Sequence, residues 1–207
     1  MSFARELLLN ELIYLAFVNS LSPKAVIEAQ FAGVNTLHLL SSNISEIHRD
    51  TFREYDLEFV DSGSAYLDAF SHVHGETAST AVVSSQRSLV DNGAILSSKD
   101  DMNNYGGAIV YPSGSVHVTG KNPYLIDILH GSTTAYVGKE GAIEGTEAEV
   151  EAAVSKASKA AITAGKKAAL ISAIQTRDNV RVGFVGSGAM FSDKWWDAEV
   201  MRSKTSG

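Results

Sequence analysis

An α/β fold is predicted for this chain: a mostly parallel sheet with helices on both faces, completed by antiparallel hairpins. Three observations predict it. Up to Val60 the chain alternates apolar runs with amphipathic stretches, the pattern of a helix-covered parallel sheet. From Ser64 onward helical spacing gives way to short runs rich in β-branched and aromatic residues. Near the C-terminus, Ala168–Ile174 and Val180–Val185 are separated by Thr176, Arg177, Asp178 and Asn179, which suits a hairpin with a polar tip.

In chain order, Glu11–Val18 reads as a buried strand. Ser22 caps a helix with Pro23 at its first position and Gly33 just past its end. Lys24 and Glu28 pair on its outside, and Ile27 with Phe31 is expected on the inner face. Thr36–Leu40 is the next strand. Ile44, Ile47, Thr51 and Tyr55 recur at helical spacing and predict an amphipathic helix over roughly Ser45–Tyr55. Leu57–Val60 returns as a strand. Ala65–Phe70, Thr80–Ser84, Ala108–Tyr111 and Ser115–Val118 follow as short strands, the last two flanking the turn Pro112-Ser113-Gly114. Asn122, Pro123 and Gly131 carry the start and stop signals of a helix.

Positions 140–166 read as a helical insertion within a single α/β domain spanning 1–207. Its glutamates precede its lysines, as the helix dipole favours, and Thr146 can cap it. A solvated insertion is the plainer reading and an interaction helix the alternative. Val180–Val185 then looks like a mid-sheet strand emptying into Gly186-Ser187-Gly188. Phe191 is expected as an apolar plug and Ser192-Asp193 as the start of a short helix. Adjacent helical residues point about 100° apart, so Trp195 and Trp196 should differ in burial.

Composition narrows the class. The 207 residues are 44% hydrophobic with a net charge of −7, an ordinary globular balance that argues against a nucleic-acid partner. Zero cysteines exclude disulfides and thiolate metal sites. The early apolar run Leu12–Val18 is too short to span a bilayer, and Glu6, Asn10 and Glu11 interrupt any signal-peptide core.

Catalytic and cofactor signatures are missing from the sequence. It contains no G-x-S-x-G, no P-loop and no H-E-x-x-H. Gly186-x-Gly188 after a strand is half of a dinucleotide fingerprint, but Phe191 stands where the third glycine belongs. His72, His74 and Glu76 are the nearest approach to a metal set, and read more simply as loop residues. Asp100-Asp101 and Asp56/Glu58 read as solvated charge, and His38 and His117 as hydrogen-bonded structural histidines. Catalytic, cofactor and metal residues are therefore all expected to be none. Asn43-Ile44-Ser45 is a glycosylation sequon; Asn43 reads first as a helix cap, with an N-glycan as the alternative.

Three long segments resemble one family. They are Thr36–Gly63 (TLHLLSSNISEIHRDTFREYDLEFVDSG), Asn122–Val137 (NPYLIDILHGSTTAYV) and Ala168–Asp193 (AALISAIQTRDNVRVGFVGSGAMFSD). In this order they resemble the non-catalytic beta subunit, of the wheat-germ-agglutinin-binding or 48 kDa type, of the endoplasmic-reticulum oligosaccharyltransferase. The resemblance implies a glutamine-amidotransferase-like lumenal domain that scaffolds the complex and does no chemistry, catalysis belonging to another subunit. It implies other subunits as partners, contact with oligosaccharide, and no cofactor. Family members begin with a signal peptide and end in a membrane anchor, so the chain is expected to be a fragment, truncated before its first strand–helix units. The alternatives are a nucleotide-binding oxidoreductase-like domain and a free carbohydrate-binding module.

Overall fold

The computed structural model describes residues 12–16, 22–90, 107–139 and 165–196. Among these, seven strands form one mixed sheet and four more form two small antiparallel pairs. The strands are β1 (Leu12–Ala16), β2 (Asn35–Leu39), β3 (Leu57–Phe59), β4 (Ser64–Leu67), β5 (Thr80–Ser84), β6 (Ala108–Pro112), β7 (His117–Thr119), β8 (Leu125–His130), β9 (Tyr136–Lys139), β10 (Ala169–Gln175) and β11 (Arg181–Val185). The helices are α1 (Pro23–Phe31), α2 (Glu46–Arg53), and the four-residue α3 (Ser85–Ser88) and α4 (Asp193–Trp196).

Only one end of the large sheet is parallel. β2 lies between β1 and β11 and runs parallel to both. Beyond β11 the direction reverses: β10 is antiparallel to β11, to β8 and to β7, and β7 is antiparallel to β3. The mostly parallel sheet expected from the early alternation is therefore a mixed one. β3 was expected to extend the parallel array, yet it pairs with β7, a strand far along the chain. The hairpin β10–β11 forms as expected, with Asn179 in the left-handed region at φ 63° that its short polar side chain tolerates.

Local signals placed α1 well. Ser22 Oγ accepts from Ala25 N at 3.3 Å, Pro23 opens the helix, and Gly33 leaves it at φ 87°. Lys24 and Glu28 meet at 3.7 Å in a solvated pair. The inward face is shifted, however. Gln30 is the buried residue of α1, its amide donating to Thr36 Oγ1 at 2.8 Å, while Phe31 is 84% exposed. A similar shift occurs in α2, where Phe52 and Arg49 are buried and Ile47 is 69% exposed. Arg49 is tolerated inside because its guanidinium donates to Phe59 O at 2.9 Å and pairs with Asp61 and Glu46.

Three further expectations need correction. Asn122–Gly131 is not a helix. Asn122 Oδ1 accepts from Tyr124 N at 3.0 Å, an Asx turn that launches strand β8. Pro112-Ser113-Gly114 does not close a hairpin, because β6 pairs with β5 while β7 joins the large sheet. Phe191 is exposed rather than a plug, and ends a 3₁₀ turn over Gly188–Phe191. The insertion at 140–166, apart from the 3₁₀ turn Gly165–Lys167 that overlaps its end, lies outside the described residues. So do Asp100-Asp101 and the Trp196 side chain. Trp195 is half-buried.

Among the described residues two large apolar clusters carry most of the packing, beside a small one of Ala65, Leu67 and Tyr136. The first is aromatic: Phe52, Phe59 and Phe184 join Leu40, Ile44, Leu57, Ile174, Val180 and Val182, and α2 closes it. The second gathers Tyr66, Tyr111, Val83, Val116, Leu129 and Leu170 where the small sheets meet β8 and β10. Helices on both faces were expected, but strands close this second cluster.

Candidate functional site

Ligands of open α/β sheets collect at the carboxyl ends of parallel strands. Here that place is the exit from β2 and β11, where Gly186-Ser187-Gly188 lies. Both of its glycine N–H groups are already engaged. Gly186 N donates to Leu170 O at 2.9 Å and Gly188 N to Leu40 O at 2.7 Å. Ser187 Oγ donates to Pro112 O at 2.5 Å, fastening the turn to β6. A Cβ at Gly186 would collide with the Tyr111 hydroxyl and the Ser115 carbonyl. Glycine is thus needed for close protein packing, not for approach to a pyrophosphate. The turn leads into the 3₁₀ segment and the four-residue α4, neither long enough to offer a phosphate a helix dipole. The nucleotide-binding reading has no support in this geometry.

A serine, a histidine and an aspartate do converge elsewhere. His117 on β7, Asp127 on β8 and Ser172 on β10 meet where the three strands join. Ser172 Oγ donates to Asp127 Oδ1 at 2.8 Å and lies 2.7 Å from His117 Nε2. Thr119 Oγ1 donates to the other Asp127 oxygen at 2.9 Å. With its proton on Asp127, Ser172 accepts from His117 Nε2–H. That tautomer leaves the buried Nδ1 as an unpartnered acceptor. The order of contacts is wrong for nucleophilic catalysis, in which histidine sits between serine and aspartate. His117 and Ser172 are moreover fully buried, and burial pushes the imidazole down to about 3, so it stays neutral. The three groups bind strands together. Sequence reasoning recognised His117 as structural. It missed Ser172 and Asp127 because it placed Asp127 on a helix.

A second polar centre surrounds Asp68, a carboxylate just past β4 with no solvent exposure. Its oxygens accept from Ser132 Oγ, from Thr134 Oγ1 at 2.9 Å, and from the backbone N–H groups of Phe70 and Ser71, both at 3.1 Å. Tyr66 OH in turn accepts from Ser132 N at 2.9 Å. Burial raises the Tyr66 and Tyr136 phenols above their ordinary range. The network sews β4 to the loop before β9. No motif announced it; the only sequence trace is the hydroxyl-rich run Ser132-Thr133-Thr134.

The other candidates separate. Glu76 pairs with Lys194 at 2.8 Å, leaving His72 and His74 as exposed loop residues. Among the described residues no three histidine, aspartate or glutamate side chains are grouped to hold a metal ion. Asp56 accepts from Asn122 N at 2.9 Å and Glu58 pairs with Arg53 at 3.0 Å, so neither is idle charge. His38 is not held by its Nε2, which has no partner. Its ring stacks on Phe184 at 5.0 Å, and burial, with His48 nearby, lowers its pKa to about 4. Asn43 is exposed two residues before the cap of α2, which is Ser45, so the expectation that Asn43 caps this helix is corrected.

The carboxylates and hydroxyls of the two polar centres are thus engaged with one another, and large apolar side chains face outward at Phe31, Ile47, Phe70, Tyr124 and Phe191. The pattern defining the family OST48, N-terminal domain, matches residues 7–207. The chain belongs to this family. It is 30% identical over 174 residues to the Schizosaccharomyces pombe dolichyl-diphosphooligosaccharide–protein glycosyltransferase subunit wbp1, covering 84% of this chain and 36% of that protein. It is 26% identical over 193 residues to the Caenorhabditis elegans 48 kDa subunit of the same transferase, covering 88% and 38%. The Danio rerio 48 kDa subunit is 25% identical over 174 residues, covering 84% and 35%. This OST48-type chain therefore spans little more than a third of the length of the curated relatives it matches.

Proposed function

We propose that this chain acts as a non-catalytic, lumenal scaffold of the oligosaccharyltransferase complex in the endoplasmic reticulum, serving protein N-glycosylation. The observation that carries the reading is the family match over 7–207, with relatives in three organisms all named as subunits of one transferase. The engagement of Asp68, Ser172 and the Gly186 turn in internal hydrogen bonds agrees with a role in assembly. Partners on this reading are the other subunits, with the oligosaccharide as a further contact. No helix among the described residues is long and apolar enough to cross a membrane. The insertion at 140–166 and the single-domain span 1–207 belong to the same proposal. A glutamine-amidotransferase-like kinship belongs to it too, as fold analogy without catalytic implication.

The test is purification. The full-length protein, tagged at its own locus and solubilised in mild detergent, is expected to bring down the other transferase subunits in stoichiometric amounts. Recovery of the tagged protein alone, from membranes in which the transferase is intact, would contradict the assignment.

A further inference from the structure

The three residues of the sequon Asn43-Ile44-Ser45 have three different fates in the fold. Asn43 is exposed on the loop between β2 and α2, and its backbone N–H donates to Ser41 Oγ at 3.3 Å. Ile44 is buried in the aromatic cluster at 2% exposure. Ser45 is the N-cap of α2. Its carbonyl accepts from His48 N and Arg49 N at 3.1 and 3.0 Å, and its Oγ lies 2.6 Å from His48 Nδ1. Capping and glycan attachment therefore do not compete for one side chain.

We propose that Asn43 is N-glycosylated, and that the sugar is added before α2 folds. The proposal rests on the lumenal reading above. The acceptor pattern is defined by the asparagine amide and the hydroxyl two residues on. In the folded protein that hydroxyl is engaged with His48, and the residue between is locked in the core. Presenting the tripeptide to a transferase requires Ile44 to leave the cluster and the first turn of α2 to open. The nascent chain meets both conditions and the folded chain meets neither. In the reaction, Nδ2 of Asn43 displaces the lipid diphosphate from the anomeric carbon of the donor oligosaccharide. One C–N bond forms, one C–O bond breaks, the diphosphate departs with the bonding pair, and one amide proton passes to base. Once α2 has formed, the modified side chain projects into solvent with no cap hydrogen bond lost, so the fold accommodates the glycan.

The experiment uses the protein expressed from its own gene, in isolated membranes. Protease protection reads its side of the membrane, and endoglycosidase treatment followed by peptide mass analysis reads position 43. A protected protein carrying a glycan on Asn43, lost in Asn43→Gln and Ser45→Ala but kept in Ser45→Thr, supports the proposal. A protected protein unmodified at Asn43 overturns the site while leaving the lumenal reading intact. A protein digested from the cytosolic side overturns the lumenal reading and the site with it. Timing is read with transferase-containing microsomal extract and a lipid-linked oligosaccharide donor. A synthetic peptide of residues 38–50 should be glycosylated and the folded bacterial chain should not. Equal modification of both would overturn addition before folding.

Discussion

The aromatic cluster and the two polar networks around Asp68 and Asp127 hold the same molecule together by different physics. In the first, Phe52 touches His38, Phe59 and Phe184 with ring centroids 5.2 to 5.4 Å apart, and shape does the work. In the polar networks, Asp68 with Ser132 and Thr134, and separately His117 with Ser172 and Asp127, are joined by directed bonds. Damage to the first should act through lost volume. Damage to the polar networks should act through stranded donors and acceptors. The polar networks use groups that elsewhere do catalysis, and here the Asp68 and Asp127 carboxylates and the Ser172 hydroxyl are taken up by internal partners.

The largest expected effect is in the aromatic cluster. Phe52→Ala removes a ring with 1% exposure, and a deletion of this kind costs about 3–5 kcal/mol. Urea denaturation of the chain measures it, and a loss below about 1 kcal/mol would show that the cluster is not a close-packed core. Asp68→Ala comes next. It strands two hydroxyls and two backbone N–H groups, at about 1–3 kcal/mol for a buried group left unpaired. Re-pairing among Ser132, Thr134 and water holds the expected total near 3 kcal/mol. Its signature is enhanced amide exchange at Phe70 and Ser71, which Phe52→Ala should not produce.

Acid gives the finer contrast. His38 and His117 have folded-state pKa values lowered to about 4 and about 3 by burial, against roughly 6.5 when unfolded. Their neutral burial contributes fully above about pH 6.5. As pH falls below that value the unfolded chain takes up protons that the folded chain refuses. Stability then drops by up to about 1.4 kcal/mol per pH unit for each histidine, levelling only below the folded values. His38→Phe should remove about half of that slope at a cost within about 1.5 kcal/mol, since the ring is stacked and its Nε2 has no partner. His117→Phe should remove the other half but destabilise more at pH 7, by leaving Ser172 one bond short. Parallel denaturation series at pH 7 and pH 5 separate the two cases.

What could be read from the sequence was chemistry acting over a few residues. Ser22-Pro23 with Gly33 marked α1, and the polar tip at Asp178-Asn179 marked the β10–β11 hairpin. What could not be read was pairing across long stretches of chain: β3 with β7 and β8 with β10 leave no local trace. Asn122 misled because one side-chain geometry serves both a helix cap and an Asx turn. Ile126 and Ile128 beside it were the better guide to a strand. Ile47 and Phe31 misled because apolar spacing assigns hydrophobic residues inward, whereas Arg49 found carbonyl and carboxylate partners and took the inside position. The candidate site was the least legible part, since Ser172 and Asp127 come together only through the strand pairing that the sequence conceals.

The central claim, that this chain holds a complex together and performs no chemistry of its own, is tested most directly by exchange. A chimera of wbp1 carrying residues 7–207 of this chain in place of its matching segment is expressed in Schizosaccharomyces pombe cells depleted of wbp1, and glycan occupancy on secreted glycoproteins is measured by mass spectrometry. The account predicts that occupancy recovers, and that Asp127→Asn or Ser172→Ala in the chimera preserves it at permissive temperature. Occupancy that stays low while the chimera accumulates normally, or that falls with Ser172→Ala in a chimera still folded and assembled, would contradict it.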